Sequence, residues 1–284
     1  MRLKDNDILH YALRNRKLRI GLAIIAFFML VMLAGPLFAR WEARERAGLY
    51  PSAPPNSTNW MGTTKMKEDI FSQFIFGTQS TFLIGFLAGC IGTTIGLSIG
   101  FFAGYVGGWF DELLMMLTNI LLVIPSIALL IILAAYLPYR GVQIQSVIIG
   151  CTAWPWVARA VRSQTLSLKQ RGFVSLARIS GVSPLRIIFE DIAPNMLSYV
   201  VMVFILQFGG AILYAVALDF IGLGPTRGIS LGLMMQEAFQ NNALQVGYWW
   251  WFIPSGLSIT LIVSGLFFLN TGLDEVFNPK LRDQ

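Results

Sequence analysis

Six apolar runs constrain what this chain can fold into more than any other feature. They cover residues 20–38, 80–105, 113–137, 144–160, 197–223 and 250–272, and a helix needs about 20 residues to cross a hydrocarbon core. The run at 144–160 is the shortest. Hydrophobic residues make up 55% of the 284 and charged residues 13%, with a mean hydropathy of +0.64, a balance far from that of soluble domains. The reading is an all-α integral membrane protein of about six transmembrane helices. Continuous apolar runs, without alternation at a period of two, speak against a β-barrel. The first run exceeds a signal-peptide core and is read as an uncleaved anchor. Cys90 and Cys151 fall within two different runs, where each reads as a small buried apolar side chain, not half of a disulfide.

Charge sets the orientation. With the N-terminus inside, Arg2, Lys4, Arg14, Arg16, Lys17 and Arg19 are cytoplasmic, as are Arg159, Arg162, Lys169, Arg171, Arg178, Arg186, Lys280 and Arg282. The outer side receives Arg40, Arg44, Arg46, Lys65, Lys67, Arg140 and Arg227, half as many. The positive-inside bias therefore places both termini and residues 159–194 in the cytoplasm. It also accounts for the net charge of +6 without any nucleic acid partner.

This divides the chain into a cytoplasmic tail with the first membrane helix (1–39), an extracytoplasmic segment (40–79) and a core (80–284) containing the cytoplasmic loop 159–194. Pro51, Pro54 and Pro55 make the first half of the outer segment irregular. Ile70, Phe71, Phe74 and Ile75 then follow helical spacing, as expected of an amphipathic stretch on the outer leaflet or against other helices. Such a stretch either covers a pathway or only leads into the second span. Within that span Gly92, Gly96, Gly100, Gly104 and Gly108 recur every four residues, preceded by Gly85 and Gly89. Residues four apart share a helix face, so the stripe is a groove for a second backbone, either inside this chain or at a subunit interface. Pro125 and Pro155 predict kinks in the third and fourth spans.

The cytoplasmic loop has a pattern of its own. Phe173, Leu176, Ala177 and Ser180 stand at i, i+3, i+4 and i+7, giving a short helix that Gly181 ends in the left-handed region. Ser183 as N-cap and Pro184 as first helical residue then restart it, with Leu185, Ile188, Phe189 and Ile192 on one face up to Pro194. Two short helices bent at Gly181 suit either a docking element or a solvated connector.

Segment 173–194, FVSLARISGVSPLRIIFEDIAP, resembles the signature loop of ABC importer permeases, with Ser175-Leu176-Ala177 at the position of the family's EAA triplet, Gly181 at its glycine, and Ile192-Ala193-Pro194 at its ending. The similarity extends over nearly the whole chain to the dipeptide and oligopeptide permease branch. It includes the stretch 61–85, the VIPS turn at 123–126, FIGLG at 220–224 and GLDEVFNPKLR at 272–282. Thr64, Glu68, Ser175, Leu176 and Ala193 depart from that branch's pattern, so an ATPase contact here does not use an acidic side chain at Ser175.

The resemblance implies a type I importer permease fold and a chain that is not itself an enzyme. The partners it implies are a second homologous permease subunit, two cytoplasmic ABC ATPases and an extracytoplasmic solute-binding protein, all in a prokaryotic cell membrane. The coupling loop would then comprise Phe173, Ser175, Leu176, Ala177, Arg178, Ser180, Gly181, Ser183 and Pro184. The residues agree by omission: no phosphate-binding GxxxxGK[ST] occurs, so ATP and Mg are expected on partner subunits and no cofactor on this chain. There is no metal-ligand cluster, and the one histidine, His10, lies in the tail. An autonomous channel or ion-coupled carrier is the rival, although such carriers need ionisable groups in the membrane and Asp219 is the one clearly intramembrane carboxylate. Asp219 either shapes an outer gate or pairs with a neighbour such as Arg227. Gln207 either lines the pathway or makes an interhelical hydrogen bond.

Overall fold

The computed structural model describes residues 14–47, 50–137 and 139–277; His10, Arg2, Lys4, Lys280 and Arg282 lie outside these. The described residues are helical apart from loops and two isolated bridges in the outer segment. The helices are α1 (Arg16–Ala34), α2 (Ile70–Val106), α3 (Gly108–Val123), α4 (Ser126–Ala135), α5 (Val142–Lys169), α6 (Gly172–Ile179), α7 (Pro184–Arg186), α8 (Ala193–Asn195), α9 (Leu197–Phe220), α10 (Leu231–Gln240), α11 (Ala243–Val246) and α12 (Trp249–Phe277).

By length and apolarity, α1 with its following turn, α2, α9 and α12 each suffice to cross a membrane. The bent pair α3–α4 makes a fifth. At Pro125 the third predicted span is not merely kinked: its two halves meet at 83°. The proline cannot donate a backbone hydrogen bond, and the preceding Ile124 is extended (ψ 125°), as a residue before proline prefers. The fourth predicted span is α5, long enough to cross but carrying Gln143, Gln145, Ser146 and Thr152 in its outer half. It tolerates them because it lies against α2 along its length, and Gln145 and Ser146 are buried there.

The glycine stripe explains that pairing. A Cβ at Gly92 would stand 3.6 Å from Ala153 Cβ, at Gly96 2.5 Å from Val157 Cβ, at Gly100 2.7 Å from Val161 Cβ and at Gly104 2.7 Å from Thr165 Cβ. The partner advances four residues for each four in α2, so the helices run parallel with backbones nearly touching. The groove is thus filled within the chain. Gly85 and Gly89 face Phe208 of α9 instead, and Gly108 leaves the stripe, with φ +61° and open space around it. Because α2 and α5 run the same way, α3–α4 must return the chain between them.

A second close crossing joins α1 and α12. A Cβ at Gly21 of α1 would lie 2.6 Å from the Leu269 nitrogen, and one at Gly272 of α12 would lie 2.6 Å from the Leu18 nitrogen. Asn15 caps α1, accepting from the Leu18 amide at 2.9 Å, and donates to Glu275, which also pairs with Lys17 at 2.5 Å. The start of α1 and the end of α12 therefore lie on one side, the side the charge bias assigns to the cytoplasm.

The predicted amphipathic stretch is the first two turns of α2, opened by Asp69, which accepts from the Ser72 amide. Ile70 and Ile75 are buried against other helices and not laid on lipid. The outer segment covers the ends of α10 and α12. Arg44 pairs with Glu237 at 2.6 Å and approaches Glu68 at 3.7 Å, while Gly62 fits against the Trp250 ring. Burial raises the affinity of Glu237 for its proton, an effect that Arg44 opposes. Cys90 and Cys151 are free; contrary to expectation neither is fully buried, Cys151 being exposed.

Candidate functional site

The cytoplasmic loop is built on a socket. The predicted first helix is α6, and Gly181 follows it with φ +76°. The Val182 amide donates to the Ala177 carbonyl and the Gly181 amide to that of Arg178, each at 3.1 Å. This is the Schellman pair of bonds that a left-handed residue permits. Val182 and Ala177 pack on the same apolar cluster, supplying the contact that usually accompanies this turn.

Beyond the turn two expectations are corrected. Ser183 occupies the N-cap position and Pro184 the first turn, but the Ser183 side chain makes no cap bond; its backbone carbonyl accepts from the Ile187 amide at 3.0 Å. The following residues do not keep the α period. Ile187–Ile192 winds as a π-helix, closed by an Ala193 amide that reaches back to Ile188. Pro194 lacks an N–H and its ring would strike the carbonyl four residues back, which a wider turn relieves. The buried face therefore becomes Ile187, Ile188 and Ile192, whereas Leu185 and Phe189 point outward.

Ile187, Ile188 and Ile192 join Val174 in a cluster with Phe101 and Tyr105 of α2, Val157 and Val161 of α5, and Val203 of α9. Lys169 and Arg178 both approach the Tyr105 ring, at 5.6 and 6.0 Å from its centroid. The loop is thus anchored to three membrane helices at once. In α6, Val174 rather than Phe173 faces the protein, so Phe173, Leu176 and Ser180 of the predicted edge are turned outward and only Ala177 packs inward. Phe173 is 40% exposed, Leu176 67% and Ile179 84%, with Ser175, Arg178 and Ser180 exposed among them. Exposed apolar side chains on the side that carries the start of α1 and the end of α12 need a cover. On the same side Arg162 holds Asp111 through two bonds of 2.5 and 2.6 Å, tying the start of α3 to α5.

Gln207 and Asp219 do not form one site. Gln207 donates to the Ala153 carbonyl at 3.0 Å, the interhelical bond of one reading, and also lines an open cavity of about 390 Å³. Thr152, Pro155, Trp156, Ser126 and Tyr214 share that wall. Asp219 is 1% exposed and is not part of the lining. It accepts from Gln145 Nε2 at 2.9 Å and Ser230 Oγ at 2.5 Å, not from Arg227. Ser230 in turn caps α10 by accepting from the Leu233 amide, and a Cβ at Gly224 or Gly232 would strike the Asp219 carboxylate. Asp219 therefore clamps the outer ends of α5, α9 and α10. The glycines of FIGLG and of Gly232 were the available signal for a buried partner. Among the described residues no group of three or more His, Cys, Asp or Glu side chains could hold a metal ion.

Residues 96–283 match the family described as binding-protein-dependent transport system inner membrane component. The dipeptide transport system permease protein DppC of Alkalihalophilus pseudofirmus is 33% identical over 272 residues, 95% of this chain and 88% of that protein. The oligopeptide transport system permease protein OppC of Bacillus subtilis is 30% identical, over 94% of this chain and 87% of its own. The glutathione transport system permease protein GsiD of Shigella flexneri is 35% identical, over 90% and 86%. The system to which such a component belongs includes an ATPase and a binding protein, and the component itself is not catalytic. This chain belongs to that family: it is a multi-pass permease component of an ABC importer in a bacterial inner membrane.

Proposed function

We propose that this chain forms half of the translocation pathway of an importer for peptides or a closely related small solute. A second, homologous permease forms the other half, two ATPase subunits bind ATP and Mg, and an extracytoplasmic binding protein delivers the solute. The substrate class rests on the relatives, whose names specify dipeptides, oligopeptides and glutathione. The observation that carries the coupling role is the combination of an exposed apolar α6 with a π-wound base buried against α2, α5 and α9. An ATPase surface that covers Phe173, Leu176 and Ile179 and pulls on this loop moves all three helices together, because packed clusters shift as units.

In this reading α6 and its Schellman turn, from Phe173 to Pro184, are the docking element. Gln207 and the cavity beside it face the solute. Asp219 acts on the outer gate by holding Gln145 and Ser230 in place. The chain then divides functionally into a tail with first helix (1–39), an outer cover (40–79) and a core (80–284) with the coupling loop 159–194. Departures of Thr64, Glu68, Ser175, Leu176 and Ala193 from the branch pattern leave nickel complexes and oligosaccharides as rival solutes. The test is uptake of a labelled dipeptide by proteoliposomes holding the whole importer. Uptake should need ATP and the ATPase subunits and survive collapse of the ion gradients; uptake driven by a gradient without ATPase would make the chain an autonomous carrier.

A further inference from the structure

A second cavity, of about 370 Å³, opens on the outer side where the start of α5 meets α2 and the loop between α9 and α10. Its polar lining is Arg227, Gln79, Gln143, Ser80 and Tyr139, all able to donate hydrogen bonds, and no carboxylate lines it. Arg227, exposed at the mouth of the cavity, makes no ion pair or hydrogen bond among the described residues, and the outer acids Glu68, Glu237, Asp69 and Asp219 are engaged elsewhere. Gly141 and Val142 bring the N-terminus of the 28-residue α5 to the same wall, and no side chain caps it. Its free amides add partial positive charge to that of the guanidinium.

Hydrogen bonds brace two of the loops that line the cavity. The Thr226 amide and hydroxyl both donate to the Arg140 carbonyl, at 2.8 and 3.0 Å, and the Arg140 guanidinium donates to the Gly222 carbonyl at 2.9 Å. These bonds hold the loop carrying Arg227 against the loop carrying Tyr139. Met32 and Leu83 supply an apolar floor at the level where α1 and α2 approach the outer surface. A single cation, several neutral donors and an apolar floor match an oxyanion attached to an apolar body.

We infer that this cavity is an oxyanion site, taking the carboxylate of a solute or the phosphate of an outer-leaflet phospholipid. The solute source rests on the importer reading above; the lipid source does not. The test uses the whole importer in nanodiscs, lacking Cys90 and Cys151 and carrying Gln143→Cys, with a sulfonate-bearing and an ammonium-bearing methanethiosulfonate reagent. Relative to their rates with a free thiol in solution, the sulfonate reagent should be favoured about tenfold over the ammonium reagent, as a local cationic field would dictate, and Arg227→Gln should abolish the preference while Arg227→Lys retains most of it. Protection by the dipeptide Ala-Ala but not by its C-terminal amide identifies a solute carboxylate. Slower reaction in phosphatidylcholine nanodiscs than in nanodiscs of an uncharged, phosphate-free glycolipid, lost in Arg227→Gln, identifies a lipid phosphate. A rate ratio no different from that with a free thiol, or a preference untouched by Arg227→Gln, would overturn the site without bearing on whether uptake depends on ATP.

Discussion

Gly181 and Asp219 show what single residues do in this protein. A side chain at Gly181 would meet nothing within 4 Å, so substitution there acts through the backbone alone. Holding a non-glycine residue at φ +76° costs about 1–2 kcal/mol, and more for a β-branched one. Gly181→Val should therefore redirect α6, with uptake and solute-stimulated ATP hydrolysis falling together while the chain still inserts. Gly172, equally open but with an ordinary φ, serves as control: Gly172→Ala should transport normally. At Asp219 the effect is one of buried partners. Asp219→Ala strips Ser230, and partly Gln145, of an acceptor, and each unsatisfied buried group costs about 1–3 kcal/mol. A lowered unfolding midpoint of the purified chain in detergent, with Asp219→Asn lying between mutant and wild type, is the expected result. An unchanged midpoint in Asp219→Ala would mean that the clamp contributes nothing.

At the scale of elements, the helix pair α2–α5 depends on the absence of side chains. Leu at Gly96 or Gly100 must displace Val157 or Val161 and the backbone beside them; overpacking of this kind costs about 1–3 kcal/mol in soluble cores. Both variants should accumulate poorly as folded chain, read by size-exclusion profile after solubilisation, and wild-type profiles would show that the pair can open without loss. The stripe was legible in the sequence because a four-residue repeat of glycine has one geometric meaning. So was the Gly181 turn, since only a left-handed residue ends a helix and restarts it at Ser-Pro two residues later. The face of the next helix was half legible: Ile188 and Ile192 are buried as projected, but Leu185 and Phe189 are not. A projection at 3.6 residues per turn selects Leu185 and Phe189, whereas the π winding ahead of Pro194 turns Ile187 inward. The α1–α12 crossing was missed as well, because Gly21 stands in α1 while Gly265 and Gly272 stand in α12, and together they form no four-residue repeat. The Arg44 pairing with Glu237 joins charges almost two hundred positions apart, which no local pattern reveals.

For the whole molecule, topology and coupling stand together. The start of α1 and the end of α12 meet through Asn15, Lys17 and Glu275, and the directions of α2, α5 and α9 place the coupling loop on that same side. In intact cells, a lone cysteine at Ser57 should react with a membrane-impermeant reagent and one at Ser183 only after permeabilisation; the reverse pattern would invert the orientation. The central claim is that the loop carrying α6 is where an ATPase subunit docks. Cysteines at Ser175 and Ser180, both exposed on α6, test it most directly in the assembled importer, with a short thiol-to-amine crosslinker and the product read by mass. Crosslinks from both positions to the ATPase subunit, changing in yield when ATP is added, are predicted. Crosslinks to lipid or to no protein at either position, in a complex that still transports, would contradict the account.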